Sequence, residues 1–215
     1  MAAVLLAFDT ATPAVTVALH DGERVVAEST TVDPRRHGEL LAPGIVAVLD
    51  EAWVPRQDIT AVAVGVGPGP FTGLRVGIVT ARTLGAVLQV PVYAVCTLDV
   101  LALEAVDSGA VQGSFLVATD ARRKEVYWAA YDGHGQRVDG PHVGRPADIA
   151  TDAPVVGAGA LLYPDCFPTP VGPQHPRAAV LATAVTDERV ELLDPEPLYL
   201  RRPDVMPPSK PKKVS

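Results

Sequence analysis

The chain has 215 residues and a formal net charge of −7, with 48% hydrophobic and 20% charged residues. This composition is typical of a folded protein and excludes a disordered chain, whose hydrophobic content would be low. The acidic balance argues against a protein that binds nucleic acid unaided, because that affinity depends on phosphate contacts from Lys and Arg.

Cysteine use and the apolar start of the chain predict a cytoplasmic protein without a membrane span. Cys96 and Cys166 lie far apart with no second cysteine near either, so free thiols in a reducing compartment are expected. The apolar residues 4–8 follow no basic residue and end at Asp9, which makes the run too short for a signal peptide or a membrane helix.

Apolar runs separated by turn residues predict the elements of the first half. A continuous apolar run indicates a buried strand, and apolar residues three or four positions apart indicate a helix. Thr72 and Thr97 are the expected N-caps of two helices. The predicted elements are strands at 4–8, 14–19 and 24–29, a helix at 37–52, a strand at 59–66, a helix at 72–88, a strand at 90–95 and a helix from about 97.

The second half repeats the opening of the first. Strands are predicted at 114–119, 126–131, 137–143 and 155–158, followed by a helix at 177–186 and an extended segment at 197–201. In both halves a strand ends at an aspartate, Asp9 or Asp120, and a turn leads into the next strand. We therefore predict an α/β protein of two related lobes, each opening as a three-stranded meander. A single ordinary α/β domain remains the alternative.

The predicted domain limits follow from this repeat. The first lobe covers residues 1–102, and a smaller second lobe covers residues 103–200, whose last segment could pack back on the first. Residues 201–215 are expected to form a basic, flexible tail, because they contain five cations and one aspartate. A solvated terminus is the simplest interpretation of such a tail, and contact with RNA or an acidic partner is the other.

A stripe of small residues follows the Gly/Pro-rich loop at 65–73. Gly73, Gly77, Ala81 and Gly85 recur every four residues, and each glycine costs about 1 kcal/mol of helix stability relative to alanine. That cost is reasonable where another backbone comes very close. The stripe could pack against its own sheet or against a partner helix, with the neighbouring Arg75 and Arg82 at the rim. The spacing leaves both interpretations open.

Acidic turns are the remaining candidates for chemistry. Asp9 with Thr10, and Asp120 with Thr119, stand at strand ends, where such groups hold metal-bound phosphates between two lobes or simply stabilise a turn. The sequence contains no Gly-x-Ser-x-Gly elbow and no His-x-x-x-His pair. The pattern alone predicts a fold without an evident active site.

Four segments together resemble the TsaB (YeaZ) family. They are Asp9–Thr12, Gly65–Gly77, Asp120–Trp128 and Pro197–Arg201, in the order and spacing of that family. One departure is Pro70, where the family usually has a small hydroxyl residue. The resemblance implies two ribonuclease-H-like lobes, as in actin and Hsp70.

The resemblance also implies a function. Members of this family are non-catalytic scaffold subunits of the complex that forms threonylcarbamoyladenosine beside the anticodon of tRNAs reading codons that begin with A. Such a subunit docks the catalytic paralogue TsaD or a second copy of itself, the ATPase TsaE joins, and tRNA is reached through the complex. TsaD holds its metal with a His-x-x-x-His pair. Here His37 is followed by Leu41, so neither a catalytic residue nor a metal site is expected.

The family's dimer contact uses the first two helices of the first lobe, which favours docking as the purpose of the stripe. The predicted interface residues are Leu41, Ile45, Val48, Gly73, Arg75, Gly77, Ala81, Arg82 and Gly85. Gly77→Leu or Gly85→Leu should then abolish pairing with TsaD and leave the monomer folded. No cofactor is expected beyond weak ATP or ADP binding at an interface, with Asp9, Thr10 and Asp120 as weak candidates for nucleotide contact.

Two alternatives stay open. The first is a nucleotide-dependent phosphotransferase that uses Asp9 and Asp120 between the lobes, and it predicts saturable binding of ATP–Mg by the isolated chain. The second is a peptidase that acts on a partner, a role at times assigned to this family. The absence of a nucleophile elbow and of a histidine pair counts against the peptidase.

Overall fold

The computed structural model describes residues 3–201, so the predicted tail lies outside the described residues except for Arg201. The ten strands within this range are β1 Leu5–Asp9, β2 Ala14–His20, β3 Val25–Val32, β4 Ala61–Gly65, β5 Val92–Val95, β6 Phe115–Asp120, β7 Val126–Tyr131, β8 Arg137–Gly144, β9 Val155–Val156 and β10 Pro170–Val171. The five α-helices are α1 His37–Glu51, α2 Phe71–Leu88, α3 Thr97–Asp107, α4 Ala158–Leu162 and α5 Ala178–Thr186.

The strands form two five-stranded sheets with the same topology. The first sheet has the order β3-β2-β1-β4-β5, and the second has β8-β7-β6-β9-β10. In each, the first three strands are antiparallel and the last two run parallel to the first. This is the ribonuclease-H-like arrangement, and it confirms the prediction of an α/β fold with two related lobes, each opening as a meander.

Helices cover both faces of the first sheet, which is why β1 is buried along its whole length. Leu6 and Phe8 point to the side covered by α1 and α2, whereas Leu5 and Ala7 point to the side covered by α5. The second sheet packs α3 on one face and α4 on the other.

The packing of two helices differs from the predicted boundary between the lobes. Helix α3 packs most of its buried apolar side chains against the second sheet and Val100 against the first, so a division between residues 102 and 103 cuts through a helix that contacts both sheets. Helix α5 comes from the 103–200 part of the chain and lies against the first sheet. The two sheets are therefore joined by an exchange of helices as well as by chain connections.

Several local predictions need correction. Helix α2 begins at Phe71 after Pro70, without a side-chain cap, so Thr72 is not its N-cap. Thr97 is likewise the first residue of α3 rather than its cap. The segment 197–201 has no strand structure, although the Leu198 N–H donates to the Val66 carbonyl oxygen (2.9 Å). Helix α4 and strand β10 were not predicted, because they are too short to show a period.

By length and composition, α2 is the one helix among residues 3–201 that could cross a membrane, with a mean hydropathy of 1.3. Core helices of folded proteins pass the same test, so this is weak evidence. One side of α2 is buried against β4 and the end of β1.

Candidate functional site

Asp9 ends β1 and is fully buried. Its Oδ2 accepts the Thr97 hydroxyl (2.6 Å), and its Oδ1 accepts the backbone N–H of Ala11 (2.7 Å). Burial raises the pKa of Asp9, and these two hydrogen bonds partly oppose that shift. A methyl group at Gly65 would overlap the carboxylate. Each carboxylate oxygen thus has a partner within the chain: Oδ2 ties β1 to the start of α3, and Oδ1 stabilises the turn after β1.

Thr10 is also buried and connects the turn after β1 to α2. Its hydroxyl donates to the Gly73 carbonyl oxygen (2.7 Å) and accepts the Gly77 N–H (3.0 Å). An uninterrupted helix would pair those two backbone groups with each other. The Thr10 hydroxyl therefore bonds to both of these backbone groups on the inner side of α2. A side chain at Gly77 would overlap the hydroxyl, so the contact requires glycine there.

The predicted docking stripe lies inside the first lobe. A Cβ atom at Gly73 would be 2.6 Å from the Thr10 carbonyl oxygen, and one at Gly85 would be 2.5 Å from Val92 Cγ2. Glycine at these positions lets α2 approach its own sheet. The residues of the predicted interface that are buried in this way, and that form no exposed docking face, are Leu41, Ile45, Val48, Gly73, Gly77, Ala81 and Gly85.

Arg75 and Arg82 are exposed on α2 but contact Tyr199 and Glu196 of their own chain. Arg75 Nε donates to the Tyr199 hydroxyl (2.7 Å), and its guanidinium carbon lies 3.8 Å from the centroid of the Phe71 ring. The Phe71 and Tyr199 rings stack with centroids 5.5 Å apart. Arg82 Nη1 donates to Glu196 (2.7 Å). The segment 196–199 thus lies along one edge of α2.

Several large apolar side chains are exposed on or next to α1 and α2. We use "outer helical face" for Val46 of α1, Trp53 just after it, and Phe71, Val79 and Val87 of α2. These are five of the eleven exposed large hydrophobic side chains among residues 3–201, and Val87 and Trp53 are 72% and 91% exposed. None of the five is among the predicted interface residues, although Val79 and Val87 lie eight residues apart and on the opposite side of α2 from the glycines.

A cavity of about 260 Å³ lies between the ends of the two sheets. Its lining includes Thr12 and Pro70 from the first lobe and Thr119, Asp120 and His175 from the second. Thr119 Oγ1 and His175 Nδ1 are buried and have no hydrogen-bond partner among the described residues, and burial lowers the pKa of His175. The Asp120 carboxylate pairs with its neighbour Arg122 (3.2 Å).

The three predicted nucleotide-contact residues are not brought together in that cavity. Asp120 lines it, Thr10 lines a smaller neighbouring cavity, and Asp9 is not among the residues lining either. Within residues 3–201 there is also no group of three His, Cys, Asp or Glu side chains placed to hold a metal ion. The walls of the cavity combine apolar side chains with hydroxyl, amide and imidazole groups and with the Asp120–Arg122 ion pair.

The hairpin between β6 and β7 turns at three cations. Arg122, Arg123 and Lys124 have φ angles of +62°, +55° and +62°, and the Glu125 N–H donates to the Arg122 carbonyl oxygen (3.0 Å). The left-handed region costs a residue with a Cβ atom about 1–2 kcal/mol. Asn-Gly or Asp-Gly normally occupies a turn with two positive φ angles, so this turn is strained.

Comparisons with known proteins identify the family of this chain. The family model of TsaD, described as tRNA N6-adenosine threonylcarbamoyltransferase, matches residues 24–158. The tRNA threonylcarbamoyladenosine biosynthesis protein TsaB of Escherichia coli (strain K12) is 35% identical over 173 residues, which cover 75% of this chain and 74% of that protein. The chain belongs to the TsaB (YeaZ) family.

Three further matches cover almost the whole chain. An uncharacterized protein of Mycobacterium tuberculosis (strain ATCC 25618 / H37Rv) is 46% identical, over 94% of each chain. The solved structure of YeaZ from Pseudomonas aeruginosa has a TM-score of 0.78 and 33% identity, covering 92% of this chain and all of that one. A second Pseudomonas aeruginosa structure has a TM-score of 0.80 and is described as an uncharacterized protein with similarity to peptidase YEAZ.

His37 has a structural contact in this TsaB-family chain. Its ring is buried at the start of α1, and Nε2 donates to the Thr12 carbonyl oxygen (2.7 Å). Leu41, one turn later, is buried in the core of the lobe. The imidazole therefore stabilises the turn after β1. Leu41 stands at the position of the second histidine of a His-x-x-x-His pair, so the pair is not present on this helix.

Proposed function

We propose that this chain is a non-catalytic subunit of the machinery that forms threonylcarbamoyladenosine in tRNA, and that it docks a TsaD-type catalytic paralogue through the outer helical face. The observation that carries the proposal is the concentration of exposed apolar side chains on α1 and α2. Exposed apolar patches of this kind mark interaction surfaces.

The geometry of the two helices suits a helical partner. Helices α1 and α2 lie side by side on one face of the first sheet. Their outer sides can pack against two helices of another chain as in a four-helix arrangement. Burying apolar surface in this way contributes roughly 25 cal/mol for each Å². The partner therefore contacts Val46 and Val79, and the small residues beneath them keep α2 close to its own sheet.

Two further features support a structural rather than a catalytic role. Both oxygens of Asp9 and the ring of His37 are engaged by neighbours in the chain. The Asp120 carboxylate is paired with Arg122.

In the proposed complex the TsaD-type subunit supplies the chemistry and a TsaE-type ATPase joins it. The complex binds tRNA and is located in the cytoplasm. A second copy of this chain could occupy the same face before the paralogue does.

The proposed test places a charge on each helix. Val46→Glu together with Val79→Glu changes two side chains that are 55% and 59% exposed, so the fold should be unaffected. Docking would bury both carboxylates, and we expect pairing with the TsaD-type protein of the same organism to weaken by at least about tenfold. Gel filtration and calorimetry measure this.

Val138→Glu is the matched control. Val138 is 65% exposed but lies on β8 of the second lobe, so this variant should pair like the original chain. Equal affinity of the double variant and the control for the TsaD-type protein would disprove docking through the outer helical face.

A further inference from the structure

The cavity of about 260 Å³ between the ends of the two sheets, here called the inter-lobe cavity, has an ion pair in its wall. Arg122 Nη1 lies 3.2 Å from Asp120 Oδ2, and the backbone N–H of Arg122 donates to Asp120 Oδ1 (2.7 Å). A carboxylate accepts several hydrogen bonds and a guanidinium donates several, so both groups can bind a ligand without separating. The pair therefore presents an anion and a cation side by side to the cavity.

Two buried polar atoms at the same cavity have no partner. Thr119 is 5% exposed, and neither its Oγ1 nor His175 Nδ1 forms a hydrogen bond with any described residue. Buried polar groups in folded proteins are nearly always hydrogen-bonded. Burial lowers the pKa of His175, so the ring is neutral at pH 7, and Nδ1 accepts or donates one hydrogen bond according to the tautomer. Both atoms are therefore available to a ligand in the cavity.

Apolar side chains form another part of the wall. Leu161 and Leu162 of α4 line the cavity and are 49% and 53% exposed. Docking through the outer helical face makes no use of them, because α4 packs on the second sheet. A ligand with an aliphatic part would remove this apolar surface from water, which is favourable.

The size and charge of the cavity limit the class of ligand. Its volume lies below the range of about 300–1,000 Å³ that is usual for sites of drug-sized molecules, which favours a ligand smaller than a nucleotide. The Asp120 carboxylate opposes a polyanion, and a ligand with a single charge leaves one member of the ion pair without a counterpart. A zwitterion with its two charges close together matches both members.

We propose that the inter-lobe cavity binds a free α-amino acid with an aliphatic side chain. The ammonium group of the ligand contacts the Asp120 carboxylate, and its carboxylate contacts the Arg122 guanidinium. The aliphatic side chain lies against Leu161 and Leu162, and the two unpartnered polar atoms complete the hydrogen bonds. This inference does not depend on the proposed function, because it requires no partner chain.

The first experiment titrates the isolated chain with L-leucine, L-isoleucine and L-valine. We expect at least one of them to bind with a Kd of about 1 mM or tighter. The melting temperature should then rise by about 2–6 °C at about 10 mM ligand. Two analogues of leucine test the recognition of both charges: 3-methylbutylamine lacks the carboxylate, and 4-methylpentanoate lacks the ammonium group. Each should bind at least about tenfold more weakly than L-leucine.

Arg122→Gln tests the ion pair. It removes the cation that the ligand carboxylate contacts, so the affinity for the amino acid should fall at least about tenfold. Arg36→Gln is the matched control, because Arg36 also pairs with a nearby carboxylate, Glu39, and does not line the cavity. This control should bind like the original chain. Isothermal titration calorimetry measures the affinities.

Thr119→Val tests the unpartnered hydroxyl and distinguishes a binding role from a structural one. The variant keeps the shape of the side chain and removes a buried polar group that has no partner, so the melting temperature without ligand should stay equal or rise. Its affinity for the amino acid should fall about fivefold or more. Thr16→Val is the matched control, since Thr16 Oγ1 is also buried and without a partner among the described residues but lies in β2, away from the cavity. It should bind like the original chain.

The outcomes are distinct. Binding that is weakened by Arg122→Gln and Thr119→Val, but not by their controls, supports the proposal. Absence of binding for all three amino acids overturns it, and so does equal binding of either analogue or unchanged affinity in both cavity variants. A clear fall in the melting temperature of Thr119→Val without ligand would show that the hydroxyl already has a partner within the chain, which also contradicts the proposal. Pairing with the TsaD-type protein enters none of these measurements, so a failure of the proposed function would be seen separately.

Discussion

The hydroxyl of Thr10 accepts the backbone N–H of Gly77, although the two residues are 67 positions apart. The same hydroxyl donates to the Gly73 carbonyl oxygen, so one side chain joins the turn after β1 to two successive turns of α2. The inner side of α2 is therefore committed to its own lobe. A partner can reach the helix from the outer side, and that separation of roles allows stability and docking to be tested independently.

Gly77→Ala should destabilise the first lobe. The new Cβ atom would lie 2.5 Å from Thr10 Oγ1, and overpacking of this kind costs about 1–3 kcal/mol. The free energy of unfolding, measured with urea, should fall by that amount. Gly77→Leu places a larger side chain in the same space, so it should reduce the amount of folded protein rather than weaken pairing alone.

Gly38→Ala is the matched control for this substitution. Gly38 lies in α1 with no atom within 4 Å of an added Cβ, so alanine should be neutral or stabilising by up to about 1 kcal/mol. A Gly77→Ala variant as stable as the Gly38→Ala variant would show that Thr10 does not restrict this position.

Glu104 should make the stability depend on pH. Its pKa is raised from 4.5 to about 7, chiefly by burial and further by Glu28, with Arg177 opposing the shift. Between these values the folded chain binds more protons than the unfolded chain, so the free energy of unfolding falls as the pH rises through this interval and stays low above it.

Glu104→Gln should remove this effect. The free energy of unfolding of the variant, relative to that of the original chain, should increase by about 1–2 kcal/mol when the pH rises from about 5 to about 8. This magnitude allows for the partial exposure of the side chain. Urea unfolding at both pH values measures the gain. Glu51→Gln, at an exposed position, controls for the loss of one negative charge, and an equal gain there would reject the assignment to Glu104.

Tyr199→Ala should loosen the segment along α2. The Tyr199 ring stacks on Phe71, and its hydroxyl binds Arg75. Aromatic pairs contribute about 0.5–1.5 kcal/mol beyond their burial, so the Leu198 amide should exchange with solvent about two- to tenfold faster. Hydrogen exchange followed by mass spectrometry or NMR measures this.

Glu196→Gln is the comparison for this segment. It removes an ion pair with Arg82 whose side chains are both mostly exposed, and such pairs contribute little. Faster Leu198 exchange in this variant than in the Tyr199→Ala variant would show that the ion pair, rather than the ring stack, holds the segment.

ATP–Mg should give no saturable heat of binding with this chain alone at millimolar nucleotide. The oxygens of Asp9 are hydrogen-bonded within the chain, and Asp120 is paired with Arg122. Binding that is abolished by Asp120→Asn would instead support the phosphotransferase alternative, and isothermal titration calorimetry distinguishes the two.

Much of the fold could be predicted from the sequence. Continuous apolar runs identified β1 and β4, and repeated strand–aspartate–turn patterns identified the two lobes, because buried strands and tight turns need particular residue types. The short elements α4 and β10 could not be identified from a period. Thr72 and Thr97 resembled helix caps, but the structure uses the Thr97 hydroxyl to bind Asp9.

The candidate site was harder to predict for a physical reason. A stripe of glycines permits close approach but does not say which surface approaches, and Thr10, which decides this for Gly73 and Gly77, lies far away in the sequence. The strain at Arg123 and Lys124 was also invisible, since neither residue type favours positive φ. The spacing of Val79 and Val87 was the one signal of the outer helical face that the sequence did contain.

The position of α5 has a consequence for biosynthesis. Leu181 and Ala182 cover the face of the first sheet that Leu5 and Ala7 present, so one apolar side of this sheet stays uncovered during translation until α5 has emerged from the ribosome. The first lobe can therefore complete its fold only after α5 has been synthesised. Premature termination upstream of α5 leaves a nascent fragment with exposed apolar surface, which chaperones and proteases recognise.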